Sequence, residues 1–245
     1  MREDGFTMAV NKSLANTPKK LRRYTNLAAT IHLLRNQCIT LLDPAQWDDK
    51  NDAYAMEQYK IHMNARSVLA LCFARGGETY HHWRVFSHGS DGVSIEFDRQ
   101  ELLSAFASDD NIEIGNVCYK WIRELREELR EVQIDFGQLP FLKRAQFKDE
   151  KELRIVYINI EEYVAYKEYP IKIEWIKRIA LSPWMPKPLV GSVKDTLKSI
   201  NEKCSDIQVT QSYLVDNETW QDLISTRAAP LLQSAVSDSL TPKKE

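Results

Sequence analysis

Two hydrophobic periods alternate along this chain, and each change of period marks an element. Leu21–Tyr24 reads as a short strand. Asn26 can then cap a helix over 27–36, where Leu27, Ile31 and Leu34 recur at helical spacing. Ile39–Leu42 is a brief strand closed by Asp43-Pro44, and a polar loop over 46–52 leads into a helix expected over Ala53–Ala65. Ser67–Ala74 is a near-continuous apolar run, the mark of a buried strand, and Val93–Asp98 alternates as a half-buried one does. A helix is expected over Gln100–Ala107 and a strand over Ile112–Tyr119. Trp121, Ile122, Leu125, Leu129, Val132 and Phe136 then mark one face of a long amphipathic helix. Further strands are expected from Leu153, near Glu162–Tyr166, over Ile176–Leu181 and over Ile207–Tyr213. Val190, Val193, Leu197 and Ile200 predict a helix before the last of these.

This pattern shows no internal repeat and no Gly/Ser linker, so the expectation is α+β: one domain over 21–227, with a polar arm at 1–20 and a weakly patterned tail at 228–245. At 245 residues, 43% apolar and 28% charged, the composition is that of an ordinary globular protein. The net charge of −2 makes no bulk electrostatic case for nucleic acid or membranes. No apolar run approaches the ~20 residues of a membrane span, and the opening residues lack a secretory core, so a cytoplasmic protein with no membrane contact is expected. The four cysteines, Cys38, Cys72, Cys118 and Cys204, are widely separated and form no C-x-x-C, which speaks for buried free thiols and against a zinc or disulfide framework. Only 8 glycines are present, and neither common phosphate-cradling loop occurs.

The candidate chemistry centres on the strand that opens near Glu150. Alternation places Leu153, Ile155 and Tyr157 on one face and Glu150, Glu152 and Arg154 on the other. That face is either the solvated side of an edge strand or a working Glu-x-Glu pair. Lys19, Lys20, Arg22 and Arg23 form a basic cluster, either a solvated patch or a guide for an anionic ligand. His81, His82 and His88 crowd eight residues around Trp83, yet no nearby acid or cysteine completes a metal-ligand spacing.

The order of these signals resembles the bacterial DUF2971 family. The counterparts of its motifs are Arg23-Tyr24-Thr25, Asn51-Asp52-Ala53, Cys72-Phe73-Ala74, Trp83-Arg84-Val85-Phe86, Asp91 to Asp98, and Glu150-Lys151-Glu152-Leu153-Arg154. Ala53, Phe86 and Leu153 depart from that pattern, which has Pro, Tyr and Trp there. A basic residue on the first strand and Glu-x-Glu on a late one is also similar to the ADP-ribosyltransferase superfamily. That second resemblance implies a split β-sandwich flanked by helices, with NAD bound as substrate and no metal. Glu152 would stabilise the oxocarbenium-like state through the ribose 2′-OH, and Glu150 would act as base toward the acceptor. Arg23 would hold a phosphate or the adenosine ribose, with Tyr24 and Thr25 beside it. Trp83 or His82 would stack on nicotinamide, and Arg154 would neutralise the glutamate pair. The implied activity is transfer of ADP-ribose to a macromolecule. Lys19–Arg23 favours nucleic acid, RNA included, over protein as the acceptor. The implied setting is a toxin of a toxin–antitoxin or anti-phage system, with an antitoxin or chaperone partner. NAD hydrolysis and a non-catalytic binding module are the alternatives.

Overall fold

The computed structural model describes residues 18–87, 89–131 and 135–226. Most of the expected arm at 1–20, and the tail at 228–245, lie outside the described residues.

Asn26 ends one element and starts the next. β1 (Lys20–Asn26) runs directly into α1 (Leu27–Asn36), and the Asn26 side chain accepts from the Ala29 amide at 2.9 Å, the cap read from the sequence. Gln37, with a left-handed φ of 51°, turns the chain back into β2 (Cys38–Leu42). Asp49 caps α2 (Lys50–His62), so this helix begins three residues before the expected Ala53. β3 (Ser67–Ala74) matches the apolar run. The aromatic and histidine cluster, which periodicity left unassigned, is a helix, α3 (Tyr80–Phe86), started by Thr79, whose hydroxyl accepts from the His82 amide.

β4 (Gly92–Asp98) leads into α4 (Arg99–Ser104). The strand expected over Ile112–Tyr119 divides at Val117 into β5 (Ile112–Asn116) and β6 (Cys118–Lys120). α5 (Ile122–Glu131) carries the start of the expected amphipathic stripe, but Trp121, Ile122 and Leu129 are exposed, and Phe136 opens a separate 3-10 turn capped by Asp135. β7 (Leu142–Arg144) pairs with β6 as a small parallel ribbon. A 3-10 turn over Ala145–Glu150 and a left-handed Lys151 (φ 47°) then launch β8 (Glu152–Asn159). β9 is Tyr166–Pro170, later than expected because Asn159 caps a turn at Glu161 and Glu162. β10 (Ile176–Leu181), α6 (Lys187–Ser199), β11 (Val209–Gln211) and a helix at 218–226, α7, complete the described chain.

Nine of these strands form one mixed sheet. Its order runs β11-β10-β4-β1-β3-β2-β9, while β8 lies along the other edge of β3 and carries β5. β3 meets β1 only at Arg22↔Ala74 and β2 only at Leu42↔Ala70. The sheet therefore forks at β3 into two arms. Between them the Cys72 carbonyl receives the Arg23 guanidinium at 3.1 Å, a side chain standing in for a missing strand partner. Both arms contribute to one apolar core, with Leu21, Ile95 and Ile179 from one side and Ile39, Leu69, Ile155 and Tyr169 from the other. Among the described residues no helix is long and apolar enough to cross a membrane. The cysteines are free, but Cys118 is exposed and Cys72 only half-buried, so the expectation of buried thiols holds for Cys38 and Cys204 alone.

Where β4 begins, Gly92 packs against Ser87: an added Cβ would stand 2.6 Å from the Ser87 hydroxyl and 2.8 Å from its carbonyl oxygen. Because backbone cannot yield as a side chain can, Gly92→Ala is expected to destabilise the protein by about 1–3 kcal/mol, seen as a lower urea midpoint with an unchanged slope.

Candidate functional site

β8 sets the site. Its odd-numbered residues Leu153, Ile155 and Tyr157 enter the main core, and Glu152 and Arg154 point to the opposite face, as alternation requires. Arg154 has no solvent exposure. It donates to Asp52 at the start of α2 (2.8 Å), to Glu152 (2.8 Å) and to the Pro140 carbonyl (2.9 Å), and its guanidinium lies 4.9 Å from the Trp47 ring centroid. Lys143 of β7 reaches the same point, 2.6 Å from Glu150, 3.2 Å from Asp52 and 3.5 Å from Glu152. Glu150 arrives from the 3-10 turn before β8, brought over by the left-handed Lys151. All five side chains are buried.

Three carboxylates thus share two cations away from water, and the groups respond unequally. Burial alone would raise the Glu152 pKa, but Arg154 and Lys143 outweigh it and hold Glu152 down to about 2. Burial dominates at Glu150; aided by the Glu152 charge, it outweighs Lys143 and pushes Glu150 up to about 7. One carboxylate is fixed as an anion and its neighbour exchanges a proton near neutrality. On the solvent side of Glu150 stands His81, whose Nε2 lies 3.9 Å from Oε1 and whose side chain is 45% exposed.

α3 roofs this face. The Nε2 of His82 donates to the Glu150 carbonyl at 3.0 Å, and with the ring neutral its Nδ1 accepts from the Thr79 hydroxyl at 2.6 Å. Burial keeps its pKa low, in agreement with a neutral ring. Tyr24 stacks on His82 with centroids 5.1 Å apart, and Trp83 meets Tyr24 edge-on at 5.4 Å. The indole N–H of Trp83 donates to Glu78, which also receives the Ser212 hydroxyl. Beyond Ser212 opens a groove of about 810 Å³ lined by Trp184, Tyr213 and Trp220. Arg84 lies over Trp184 at its rim, 4.0 Å from the ring centroid.

The structure therefore brings Glu150, Glu152, Arg154, Tyr24, His82 and Trp83 to one face. His82 and Trp83 turn their rings inward against Tyr24, so neither presents a free ring face for a nicotinamide to stack on; Tyr80 is the exposed aromatic nearby, edge-on to half-buried Trp184. Arg23 and Thr25 do not join them. They alternate with Tyr24 along β1, point to the other face and line a separate cavity of about 370 Å³ at the sheet fork. Arg22, not Arg23, lies on the glutamate face, in a cross-strand row with Ala74 and Glu152, but its guanidinium is held by Glu96 and the Gly76 carbonyl. Asp52, Lys143 and Arg22 escaped sequence reasoning as site members. Asp52 sits in the quoted Asn51-Asp52-Ala53 motif, a signal that was available; Lys143 had none.

No family model matches the sequence, and no curated protein matches it. Solved structures of DarT from Thermus sp. 2.9 are similar at low level. The complex with NAD+ has 10% identity and a TM-score of 0.38, covering 80% of this chain and 96% of that one. The complex with carba-NAD+ has 12% identity and a TM-score of 0.39 over the same shares. The complex with ADP-ribosylated ssDNA has 12% identity and a TM-score of 0.37, covering 80% and 94%.

Two pH effects of opposite sign follow. Glu152, depressed in the folded state, contributes stability that is present above its unfolded value of 4.5 and is lost as pH falls toward 2. Glu150, raised in the folded state, costs stability as pH climbs from 4.5 through 7. Glu150→Gln, which mimics the protonated form, is expected to be more stable than wild type at pH 8 and no more stable at pH 4.5, measured by urea unfolding at both values. Lys143→Met leaves three carboxylates around Arg154 alone and is expected to cost about 3–5 kcal/mol at pH 7, measured in the same way.

Proposed function

We propose that the chain is an NAD-dependent ADP-ribosyltransferase acting on a macromolecular acceptor, with nucleic acid favoured over protein. The observation that carries this reading is a pair of adjacent buried carboxylates in unlike surroundings. Glu152 is held by Arg154 and Lys143, which favour its anion; Glu150 is met by Lys143 alone of these two, with burial raising its pKa to about 7. Cleavage of the nicotinamide–ribose bond develops positive charge on the sugar, and a permanent anion beside it favours that state over the ground state. The acceptor must lose a proton as it attacks, and a base titrating near neutrality is matched to that task. In this reading Glu152 engages the ribose 2′-OH, Glu150 takes the acceptor proton, and Arg154 and Lys143 keep Glu152 ionised. Arg22, rather than Arg23, is the arginine on this face, and it would meet a phosphate only by leaving Glu96 and the Gly76 carbonyl, while Arg23 and Thr25 serve the fork. The side chains over the cluster must part to admit the ligand, and half-exposed His81 is the thin part of that cover. The aromatic groove beyond Ser212 offers stacking surfaces for bases of the acceptor. The toxin reading belongs to the same proposal.

A second reading has its own support. Both Glu152 oxygens are engaged, Oε1 by Arg154 at 3.3 Å and Oε2 by Arg154 at 2.8 Å and Lys143 at 3.5 Å, and the residue is 4% exposed. A network so complete also serves a non-catalytic binding module.

Purified protein incubated with NAD and with ssDNA, RNA or cell lysate as acceptor distinguishes the two. Nicotinamide release and labelled acceptor are expected, reduced about 10²-fold or more by Glu152→Gln. The rate should rise with pH through about 7, and Glu150→Gln should remove that rise. Equal turnover by wild type and Glu152→Gln would remove Glu152 from the chemistry. Absence of nicotinamide release with every acceptor would leave the binding module. Growth arrest on expression, relieved by Glu152→Gln, is the outcome expected of a toxin.

A further inference from the structure

A second cluster lies at the far arm of the fork, on three elements separated in sequence. His32 is on α1, Cys38 opens β2, and Glu168 is on β9, opposite Thr40 of β2 in the strand pairing. The left-handed turn at Gln37 folds α1 back over β2, which sets His32 above Cys38. Their donor atoms lie within 4.8 Å of one another. Each of the three lines the 370 Å³ cavity that also holds Arg23, Thr25 and Thr40.

We propose that His32, Cys38 and Glu168 form a binding site for a zinc-class divalent transition metal, with three protein ligands and a fourth position open to the fork cavity. The donor set is that of such an ion: one imidazole, one thiolate and one carboxylate. The spacing fits as well. Bonds of about 2.3 Å to sulfur and about 2.0 Å to nitrogen, meeting at the tetrahedral angle, hold the two atoms about 3.5 Å apart. Cys38 Sγ and His32 Nε2 are 3.6 Å apart. His32 Nε2 and Glu168 Oε1 are 2.7 Å apart, a hydrogen bond that widens to about 3.3 Å when a metal replaces the proton between them. A side chain that can orient the imidazole is one amide rotation away. Asn36, one turn after His32, has its side-chain amide 3.0 Å from Nδ1. With the amide rotated to present its oxygen, it accepts from Nδ1–H and leaves Nε2 free to ligate. The expectation of no zinc framework rested on local cysteine spacing, and this site escapes it because its third ligand is 130 residues from the second. Bound metal would tie the end strand β9 to α1. The site shares no residue with the glutamate cluster and does not depend on the transferase reading.

Tag-free protein titrated with Zn²⁺ by calorimetry is expected to bind one equivalent, and Co²⁺ to give tetrahedral d–d bands with a thiolate-to-metal charge-transfer absorption. Cys38→Ser should abolish that absorption, Cys118→Ser should retain it, and His32→Gln and Glu168→Gln should each weaken binding at least ~10-fold. Asn36→Leu, which touches no ligand position, should weaken it ~10–100-fold, so the proposal stays testable even where the Cys38 variant fails to fold. Zn²⁺ should also raise the urea midpoint of wild type and leave that of Glu168→Gln unmoved. Absence of Zn²⁺ binding, or cobalt spectra unchanged in the His32 and Glu168 variants, would overturn the site.

Discussion

A guanidinium without solvent can stay charged only where carboxylates are brought to it, and Arg154 decides where four segments of this chain meet. Asp52 must come from the head of α2, Pro140 must offer its carbonyl, Trp47 must cover the cation, and Lys143 must follow to balance the excess of acid. Once these are in place, three carboxylates face two cations. The uptake of a proton is easiest at Glu150, the carboxylate with one lysine contact and no arginine hydrogen bond, while Arg154 and Lys143 favour the ionised Glu152. The asymmetry that makes the site interesting is a by-product of burying one arginine.

The sheet fork separates this chemistry from that on the other face of β1. Because β3 gives β1 and β2 one register point each, the two strands splay apart and leave a cavity that Arg23 and Thr25 enter. Successive residues of β1 then belong to different sites: Tyr24 closes the roof over the glutamates, while its neighbours serve the fork. α3 supplies the other half of that roof, and His82 does structural work there, holding the Glu150 backbone with one nitrogen and the Thr79 cap with the other. A histidine so committed positions the carboxylate without exchanging protons itself.

Much of the architecture was legible because it is local. A short apolar run free of Gly and Pro, such as Ser67–Ala74, reads as a buried strand, and Asn26 before a 3.6-residue apolar repeat reads as a helix cap. The opposed faces of β8 likewise follow from a period of two. Errors arose wherever a neighbour overrode that pattern. The strand expected over Ile112–Tyr119 breaks at Val117, whose amide bonds the Glu152 carbonyl at 2.9 Å, and its remainder leaves the main sheet for β7. β9 starts late because Asn159 captures the amides of Glu161 and Glu162. The α5 stripe stays exposed because amphipathicity calls for a partner without supplying one.

By itself, then, the sequence determined the strands and helices of the core, and which residues of β8 share a face, since those depend on contacts a few residues apart. Tertiary structure alone decided that Lys143 and Asp52 complete the glutamate pair, that Arg22 pairs with Glu96 while Arg23 enters the fork, and that His32, Cys38 and Glu168 converge. Such assemblies join residues up to 136 positions apart, and no local period records which distant strand a side chain will meet. What selects the partners of the glutamate pair is the cost of leaving a buried charge without its counterpart, a quantity that exists only once the chain has folded.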